Sequence, residues 1–309
     1  MLLALALIPV IVLLIVIFVI DKKEKEPIGL LIGLFFAGAA TIITAVIGEA
    51  IGELILGLFM YDSAIKSVIL SIFVVGPAEE LGKFFVLWLI TWKNKHFNYS
   101  YDAIVYAVFV SLGFACFENV GYVFMYGLGT ALLRMFTAVP GHACYAVFMG
   151  LFYSKAKKAS LTQGKKGFAG NMWLAILIPI ITHGIYDAII LGSRETDYDI
   201  IAGIGALFWI AYVIAMFVVC IIIIVKASKN DYCIVTMPNQ VQTFYKPAVL
   251  GSWNCSCGTV NNLNFCSQCG KPRPLGTTWN CPRCGVLCTF NFCGNCGSPK
   301  PQQPTPVPQ

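Results

Sequence analysis

Seven long apolar stretches constrain the fold of this chain more than any other feature of its sequence. A helix needs about 20 apolar residues to span the hydrocarbon of a bilayer. The stretches cover 2–20, 28–58, 65–92, 102–126, 128–153, 172–191 and 200–225. We therefore predict an all-α polytopic membrane bundle of about seven transmembrane helices. The third stretch contains Gly76-Pro77, which predicts a kink near its middle.

The composition supports a membrane location for most of the chain. Of the 309 residues, 58% are hydrophobic and only 12% are charged, whereas a soluble domain is nearer half apolar and a quarter charged. The apolar excess fills residues 1–226, while 227–309 are polar and rich in Cys and Pro, which marks a domain boundary. The first stretch lacks a basic leader and a small-residue cleavage site, so we interpret it as an uncleaved helix.

Positive charge alternates between the loops that join these stretches, and it predicts their orientation. Loops on the cytosolic side of a membrane protein carry an excess of Lys and Arg. Loops one, three and five contain ten such residues, which are Lys22, Lys23, Lys25, Lys93, Lys95, Lys155, Lys157, Lys158, Lys165 and Lys166. The other loops offer only Lys66 and Arg194, with Arg134 a little inside a helix. We expect a multi-pass protein of the cell membrane with its N-terminus outside and its C-terminus in the cytosol.

Four of the predicted helices carry polar side chains at depths where an ionisable group costs roughly 2.5–3.5 kcal/mol. They are Glu79, Glu80 and Lys83 in the third helix, Glu118 and Asn119 in the fourth, His142 in the fifth, and His183 and Asp187 in the sixth. His183 and Asp187 are four residues apart and so share a helix face. The depths of these groups predict one shared cavity in the middle-to-outer half of the bilayer. Glu49 and Glu53 lie near the outer end of the second helix, where we interpret them as reaching headgroup water.

The glutamate pair and its neighbours favour hydrolytic chemistry. Two adjacent glutamates in a low dielectric cannot both be ionised cheaply, and a carboxylate poised in this way can take a proton from water. An imidazole or the Asn119 amide can then stabilise an oxyanion. Three other interpretations remain open: an ion-paired brace, a proton-coupled transport path through Glu79, Glu118 and Asp187, and a catalytic metal. Zn²⁺ accepts His nitrogen and carboxylate oxygen, although the chain has no HExxH pair.

Three motifs in chain order resemble those of a known family. Glu79-Glu80-x-x-Lys83, Phe114-x-x-x-Glu118-Asn119 and His183-x-x-x-Asp187 resemble the motifs of PrsW-type intramembrane proteases. That family belongs to the superfamily of the CAAX prenyl endopeptidases and Abi proteins. The resemblance covers roughly residues 25–225. It implies a glutamate-dependent endopeptidase that cleaves membrane-anchored regulators, such as anti-sigma factors, on their extracytoplasmic side.

The resemblance also implies roles for individual residues. Glu79 would activate water with help from Glu80, and Glu118, His183 and Asp187 are marked as site residues. His142 is added to the site because of its depth in the membrane. The CAAX branch ends its second motif with His, where this chain has Glu118, so prenyl-protein processing is not expected. Because some members of the superfamily act as scaffolds, a non-catalytic scaffold or receptor that recruits partners through its tail remains the alternative.

Nine of the thirteen cysteines follow residue 254 and form two similar units. Each unit has two Cys pairs with eight residues between them, a spacing that produces four-thiolate zinc sites. The predicted ligands are Cys255, Cys257, Cys266, Cys269, Cys281, Cys284, Cys293 and Cys296. We predict small β-hairpin zinc ribbons over 251–271 and 277–297, holding two structural zinc ions. Disulfides are the alternative, but a cytosolic tail lies in a reducing compartment.

The charge of the tail bears on its partner. Residues 251–300 carry four Lys or Arg and no acid, and two zinc ions with eight thiolates would contribute four negative charges. The double ribbon (251–297) is therefore close to neutral, whereas nucleic-acid binders present a basic face. We expect a cytosolic protein partner rather than nucleic acid. Residues 227–250 are predicted to be a linker, and 298–309 a disordered tail rich in Pro and Gln.

Overall fold

In the computed structural model, the described residues are 2–162, 164–195, 199–234, 253–261, 268–269, 271, 279–282 and 287–288. The chain divides into two compact units, 1–238 and 239–309. The first unit is helical. Its elements are α1 (Leu2–Ile20), α2 (Ile28–Gly57), α3 (Ala64–Leu70), a π-helical segment (Ser71–Val75), α4 (Gly76–Thr91), α5 (Asp102–Phe136), α6 (Ala138–Thr162), α7 (Gly164–Arg194) and α8 (Asp199–Lys229).

The outer surface of this unit is apolar, as lipid requires. On α8, Leu207 and Phe208 are 68% and 67% exposed, while Trp209 and Met216 are buried against the bundle. Such continuous apolar exposure marks a membrane-facing surface rather than a water-facing one. Five described helical stretches are long and apolar enough to cross a membrane: Leu2–Ile20, Ile28–Gly57, Asp102–Thr162, Lys166–Ser193 and Asp199–Lys229. The predicted helical membrane bundle is thereby confirmed, and the chain is a multi-pass membrane protein.

The stretch from Asp102 to Thr162 is broken twice. Gly127 has φ +79°, a left-handed conformation that glycine adopts without steric cost, so it divides α5 at the break predicted between the fourth and fifth stretches. A second break at Thr137 (φ −124°, ψ −67°) separates α5 from α6, and the sequence pattern did not indicate it. A Cβ on Gly150 would meet the backbone of Ile104, so α6 packs closely against the first part of α5.

The predicted third stretch contains an irregular turn at its centre. Pro77 has no N–H to donate and disrupts regular helical bonding, and the π-helical segment ends two residues before it. Two glycines allow α7 to approach this segment. A Cβ on Gly76 would lie 2.9 Å from the Ile180 carbonyl oxygen, and one on Gly184 would lie 2.9 Å from Ile72 Cα. This close packing brings the start of α4 and the middle of α7 to the same level.

In the second unit, the structure describes two short antiparallel strand pairs. β1 (Trp253–Asn254) pairs with β2 (Val260–Asn261), and β3 (Trp279–Asn280) pairs with β4 (Leu287–Cys288). The sulfurs of Cys255, Cys257 and Cys269 lie within 4.8 Å of one another, and Cys281 is buried. The other predicted ligands, Cys266, Cys284, Cys293 and Cys296, lie outside the described residues.

Candidate active site

A lysine and two glutamates on one face of α4 form the centre of the site. Glu79, Glu80 and Lys83 are 4%, 1% and 0% exposed, because spacings of three and four residues bring their side chains together on the helix. The Lys83 ammonium donates to Glu79 Oε2 at 2.9 Å and to Glu80 Oε1 at 2.8 Å. It also lies 3.9 Å from the centre of the Phe114 ring. A buried ammonium is tolerated only with such partners, so Lys83 compensates the charge of the glutamate pair.

Two histidines reach this centre from other helices, and their contacts follow the same pattern. His142 of α6 directs Nδ1 to Lys83 Nζ at 3.3 Å and Nε2 to Glu118 Oε2 at 2.9 Å. His183 of α7 directs Nδ1 to Glu80 Oε1 at 3.0 Å and Nε2 to Asp187 Oδ2 at 3.3 Å. In each ring one nitrogen therefore faces the centre, while the other faces a carboxylate that can fix its orientation.

Seven of the eight predicted site residues form one connected network through these contacts. The eighth, Asn119, lies at its edge. Its Nδ2 donates to the Ala6 carbonyl oxygen of α1 at 3.0 Å, and its Oδ1 accepts from Arg134 Nε at 3.0 Å. In this arrangement the Asn119 amide joins α1 to α5 and does not face the glutamates.

Three residues near the site were not identified from the sequence. Arg134 donates to Glu118 Oε2 at 2.6 Å, and the Tyr145 ring stacks on His183 at 4.7 Å between ring centres. Glu49 is half-buried and lies within electrostatic range of Glu118, Asp187, His183 and Lys83, so it is nearer to the cluster than a headgroup-facing residue would be. Arg134 could have been predicted as a site residue, because it is a basic residue inside the outer end of a helix. No sequence feature marked Tyr145 in this way.

The chemistry of the centre fits a metal ion. Donor atoms of Glu79, Glu80, His142 and His183 lie within 4.8 Å of one another, and carboxylate oxygen with imidazole nitrogen is a donor set that Zn²⁺ accepts. Glu80 Oε2 is buried and has no hydrogen-bond partner among the described residues.

The charges around the centre also favour a divalent metal ion. The network has four carboxylates, those of Glu79, Glu80, Glu118 and Asp187, against two permanent cations, Lys83 and Arg134. The acid surplus of two equals the charge of a divalent ion. Lys83 already contacts three of the four donor residues, so it would share them with the metal.

A helical membrane bundle with a buried centre of glutamates and histidines is the arrangement expected of an intramembrane hydrolase. The family model described as "PrsW family intramembrane metalloprotease" matches residues 26–224. The chain therefore belongs to this family and is an intramembrane protease, which confirms the resemblance seen in the motifs. Residues 239–309 lie beyond the matched region.

Several curated relatives agree with the family. Protease PrsW of Oceanobacillus iheyensis is 36% identical over 173 residues, which are 56% of this chain and 75% of the relative. Protease PrsW of Clostridioides difficile is 31% identical over 60% of this chain and 78% of its own length. Protease PrsW of Halalkalibacterium halodurans is 29% identical over 68% of this chain and 93% of its own length. No solved structure matches the chain significantly.

Proposed function

We propose that this protease uses Glu79 to activate water in a centre completed by Glu80, His142 and His183, and that it cleaves membrane-anchored regulatory proteins of the anti-sigma-factor type. One observation carries the proposal: both histidines direct Nδ1 toward the centre, His142 to Lys83 and His183 to Glu80, and both direct Nε2 toward an outer carboxylate. A purely ion-paired brace has no need of this repeated orientation.

The two glutamates have different roles in the proposal. The Glu79 side chain keeps 5% exposure, whereas that of Glu80 has none, so water can reach Glu79 more readily. Glu80 is held by Lys83 and His183, which suits a positioning role. Glu79 therefore takes the proton from the attacking water.

The histidines and their outer carboxylates would manage the charge that develops during hydrolysis. Glu118 and Asp187 accept from the Nε2 atoms and so fix the tautomer and the orientation of each ring. While no metal occupies Nδ1, a ring held in this way can accept a proton there and pass it to the departing amine. With a metal bound, Nδ1 would be a ligand instead. Arg134 keeps Glu118 ionised and in place through its contact with the carboxylate.

The family description supports a divalent metal at this centre. Glu79, Glu80, His142 and His183 would hold it, because their donor atoms converge. A bound metal would supply a Lewis acid that polarises the scissile carbonyl. Metal ligands must be deprotonated, so the two Nδ1 atoms would carry no proton in the loaded enzyme.

The membrane topology is part of the proposal. The break at Gly127 and the continuous run of α3, the π-helical segment and α4 support seven crossings. The lysine-rich loops support an N-terminus outside and a cytosolic C-terminus.

The tail is proposed to carry two structural zinc ions in a double ribbon (251–297) that contacts a cytosolic protein. The cluster of Cys255, Cys257 and Cys269 supports the first zinc site. Metal analysis of the isolated tail that found no zinc would exclude this assignment.

Cleavage of a single-span substrate in proteoliposomes tests the catalytic assignment. Glu79→Gln is expected to lower turnover about 10²–10⁴-fold, the usual contribution of a general base. The control is Glu53→Gln, because the Glu53 side chain is 49% exposed and pairs only with Lys66 in the described structure. Unchanged turnover in Glu79→Gln would overturn the assignment.

A further inference from the structure

We call the connected network of the seven predicted site residues, together with Arg134, the protease centre. Outside it, buried oxygen atoms without hydrogen-bond partners are concentrated at one place. The described residues contain eight buried side-chain nitrogen or oxygen atoms that lack a partner, and six of them lie in three chain connections. They are Asp21 Oδ1 and Oδ2, Asn98 Oδ1, the Tyr101 hydroxyl, Asp102 Oδ1 and Asp231 Oδ2. We call residues 21–26, 98–102 and 231–234 the loop junction.

Backbone contacts show that the three connections form one structure. The Ser100 amide donates to the Tyr232 carbonyl at 2.9 Å, and the Ile234 amide donates to the Asn98 carbonyl at 2.7 Å. Asp231 Oδ1 accepts from the Tyr101 amide at 2.9 Å and from the Ser100 hydroxyl at 2.8 Å. One oxygen of Asp231 thus anchors the connection between α4 and α5, while its other oxygen is buried and unpartnered.

One pair of acids in the loop junction can account for its own unpartnered oxygen. The carboxyl groups of Glu26 and Asp102 lie within hydrogen-bond range of each other, and the Tyr106 hydroxyl donates to Glu26. One proton shared between the two carboxyl groups accounts for the free oxygen of Asp102. This pair therefore needs no further ligand.

Asp21 has no hydrogen-bonded carboxyl partner of this kind among the described residues. It is 1% exposed, and neither of its oxygens has a hydrogen-bond partner of normal geometry among the described residues, although the Lys23 backbone N–H lies near enough to lower its pKa. Asp231 is an electrostatic neighbour that adds a second negative charge. Lys25 lies nearby, but its ammonium donates to the backbone carbonyls of Phe18 and Asp21 instead. A buried carboxylate without a partner is strongly unfavourable, so these oxygens favour either a bound proton or a cation that pairs with them.

We propose that the loop junction binds a hard divalent cation, Mg²⁺ or Ca²⁺, between Asp21 and Asp231, with the Asn98 side-chain oxygen and the Tyr101 hydroxyl beside them. The unpartnered donor atoms at the loop junction are all oxygens. Mg²⁺ and Ca²⁺ select oxygen ligands, whereas zinc and copper also accept nitrogen and sulfur. The cation neutralises the two aspartates and fastens residues 231–234 to the two neighbouring connections. The site is separate from the protease centre and does not depend on the proposed catalytic roles.

Thermal unfolding of the full-length protein in detergent tests the site. Zinc is held constant, and MgCl₂, CaCl₂ and KCl of equal ionic strength are compared. At about 100 times its dissociation constant, the bound cation is expected to raise the unfolding midpoint by roughly 5 °C. The divalent cation with the larger shift is the preferred ligand.

Matched Asp→Asn variants make the test specific. Asp21→Asn and Asp231→Asn are expected to lose the divalent shift, while Asp62→Asn keeps it, because the Asp62 side chain is 90% exposed and pairs with Lys66 elsewhere. Asp21 accepts no hydrogen bond of normal geometry from the described chain, so Asp21→Asn is expected to fold. Absence of a shift with both cations, or an undiminished shift in Asp21→Asn, would overturn the proposal.

Discussion

Four carboxylates meet in the protease centre, and the loop junction holds four that are buried or half-buried, those of Asp21, Glu26, Asp102 and Asp231. Only in the protease centre does a basic side chain contact every one of them. In the centre, Lys83, Arg134 and two imidazoles contact every carboxylate of the network. At the loop junction, Lys22, Lys23 and Lys25 are exposed, and the ammonium of Lys25 donates to backbone oxygens. At membrane depth an ionised side chain is costly unless the chain itself supplies a partner for it.

This difference predicts how each cluster responds to mutation and to solution conditions. In the protease centre each carboxylate contacts a basic side chain of the chain itself, so removing one of these side chains should do large and local damage. The loop junction is balanced only by protons or an added ion, so it should respond to solution conditions. Three predictions test this difference between the two clusters.

The largest effect is expected from Lys83→Met. It leaves Glu79 and Glu80 buried without their shared ammonium, and breaking a buried pair in this way costs about 3–5 kcal/mol. Unfolding in detergent and substrate cleavage measure the loss of stability and activity. The control is Lys66→Met, whose acid partners Glu53 and Asp62 are largely exposed, and it should change little. Both lysines are buried, so equal behaviour of the two variants would contradict the effect expected from the burial of their acid partners.

A smaller effect is expected from Glu118→Gln. This change weakens the contact that orients His142 without touching the glutamate pair. Partners that orient metal-ligating histidines typically change activity or metal affinity about 10–100-fold. The loss should appear in kcat with KM nearly unchanged, and metal affinity should fall as well. If only KM changes, Glu118 contacts substrate instead of positioning His142.

The smallest effect is a pH dependence at the loop junction. Burial raises the pKa of Asp21 to about 6, with Asp231 and Glu24 adding to the rise and Lys25 opposing it. Burial likewise raises the pKa of Glu26 to about 7, with Asp21 and Glu24 adding to the rise and contacts to Tyr106 and Asp102 opposing it. Between the ordinary and the raised pKa values the folded state binds more protons than the unfolded state.

Stability from these groups is therefore present at acidic pH and is lost as the pH rises through about 6 to 7. Without divalent cations, the unfolding midpoint should fall by a few degrees between pH 5 and pH 8. Asp21→Asn should reduce that fall, and Asp62→Asn should not. A midpoint that rises with pH by the same amount in all three proteins would reverse the predicted sign.

The sequence by itself determined the helical membrane architecture, the motifs and the family. Long apolar runs dictate spanning helices because of their length alone, and residues three or four apart on a helix share a face whatever surrounds it. That is why Glu79, Glu80, Lys83, His183 and Asp187 could be grouped before any coordinates. Their catalytic roles and the full set of zinc ligands remain predictions.

Which groups from different helices come into contact could be seen only in the tertiary structure. Arg134 reaches Glu118 because the chain breaks at Gly127, and α7 reaches α4 because Gly76 and Gly184 permit close backbone approach. Asp231 meets Ser100 across 131 residues of sequence. Such contacts depend on how helices pack and how loops return. No local pattern encodes them, since sequence spacing fixes directions only within a single element.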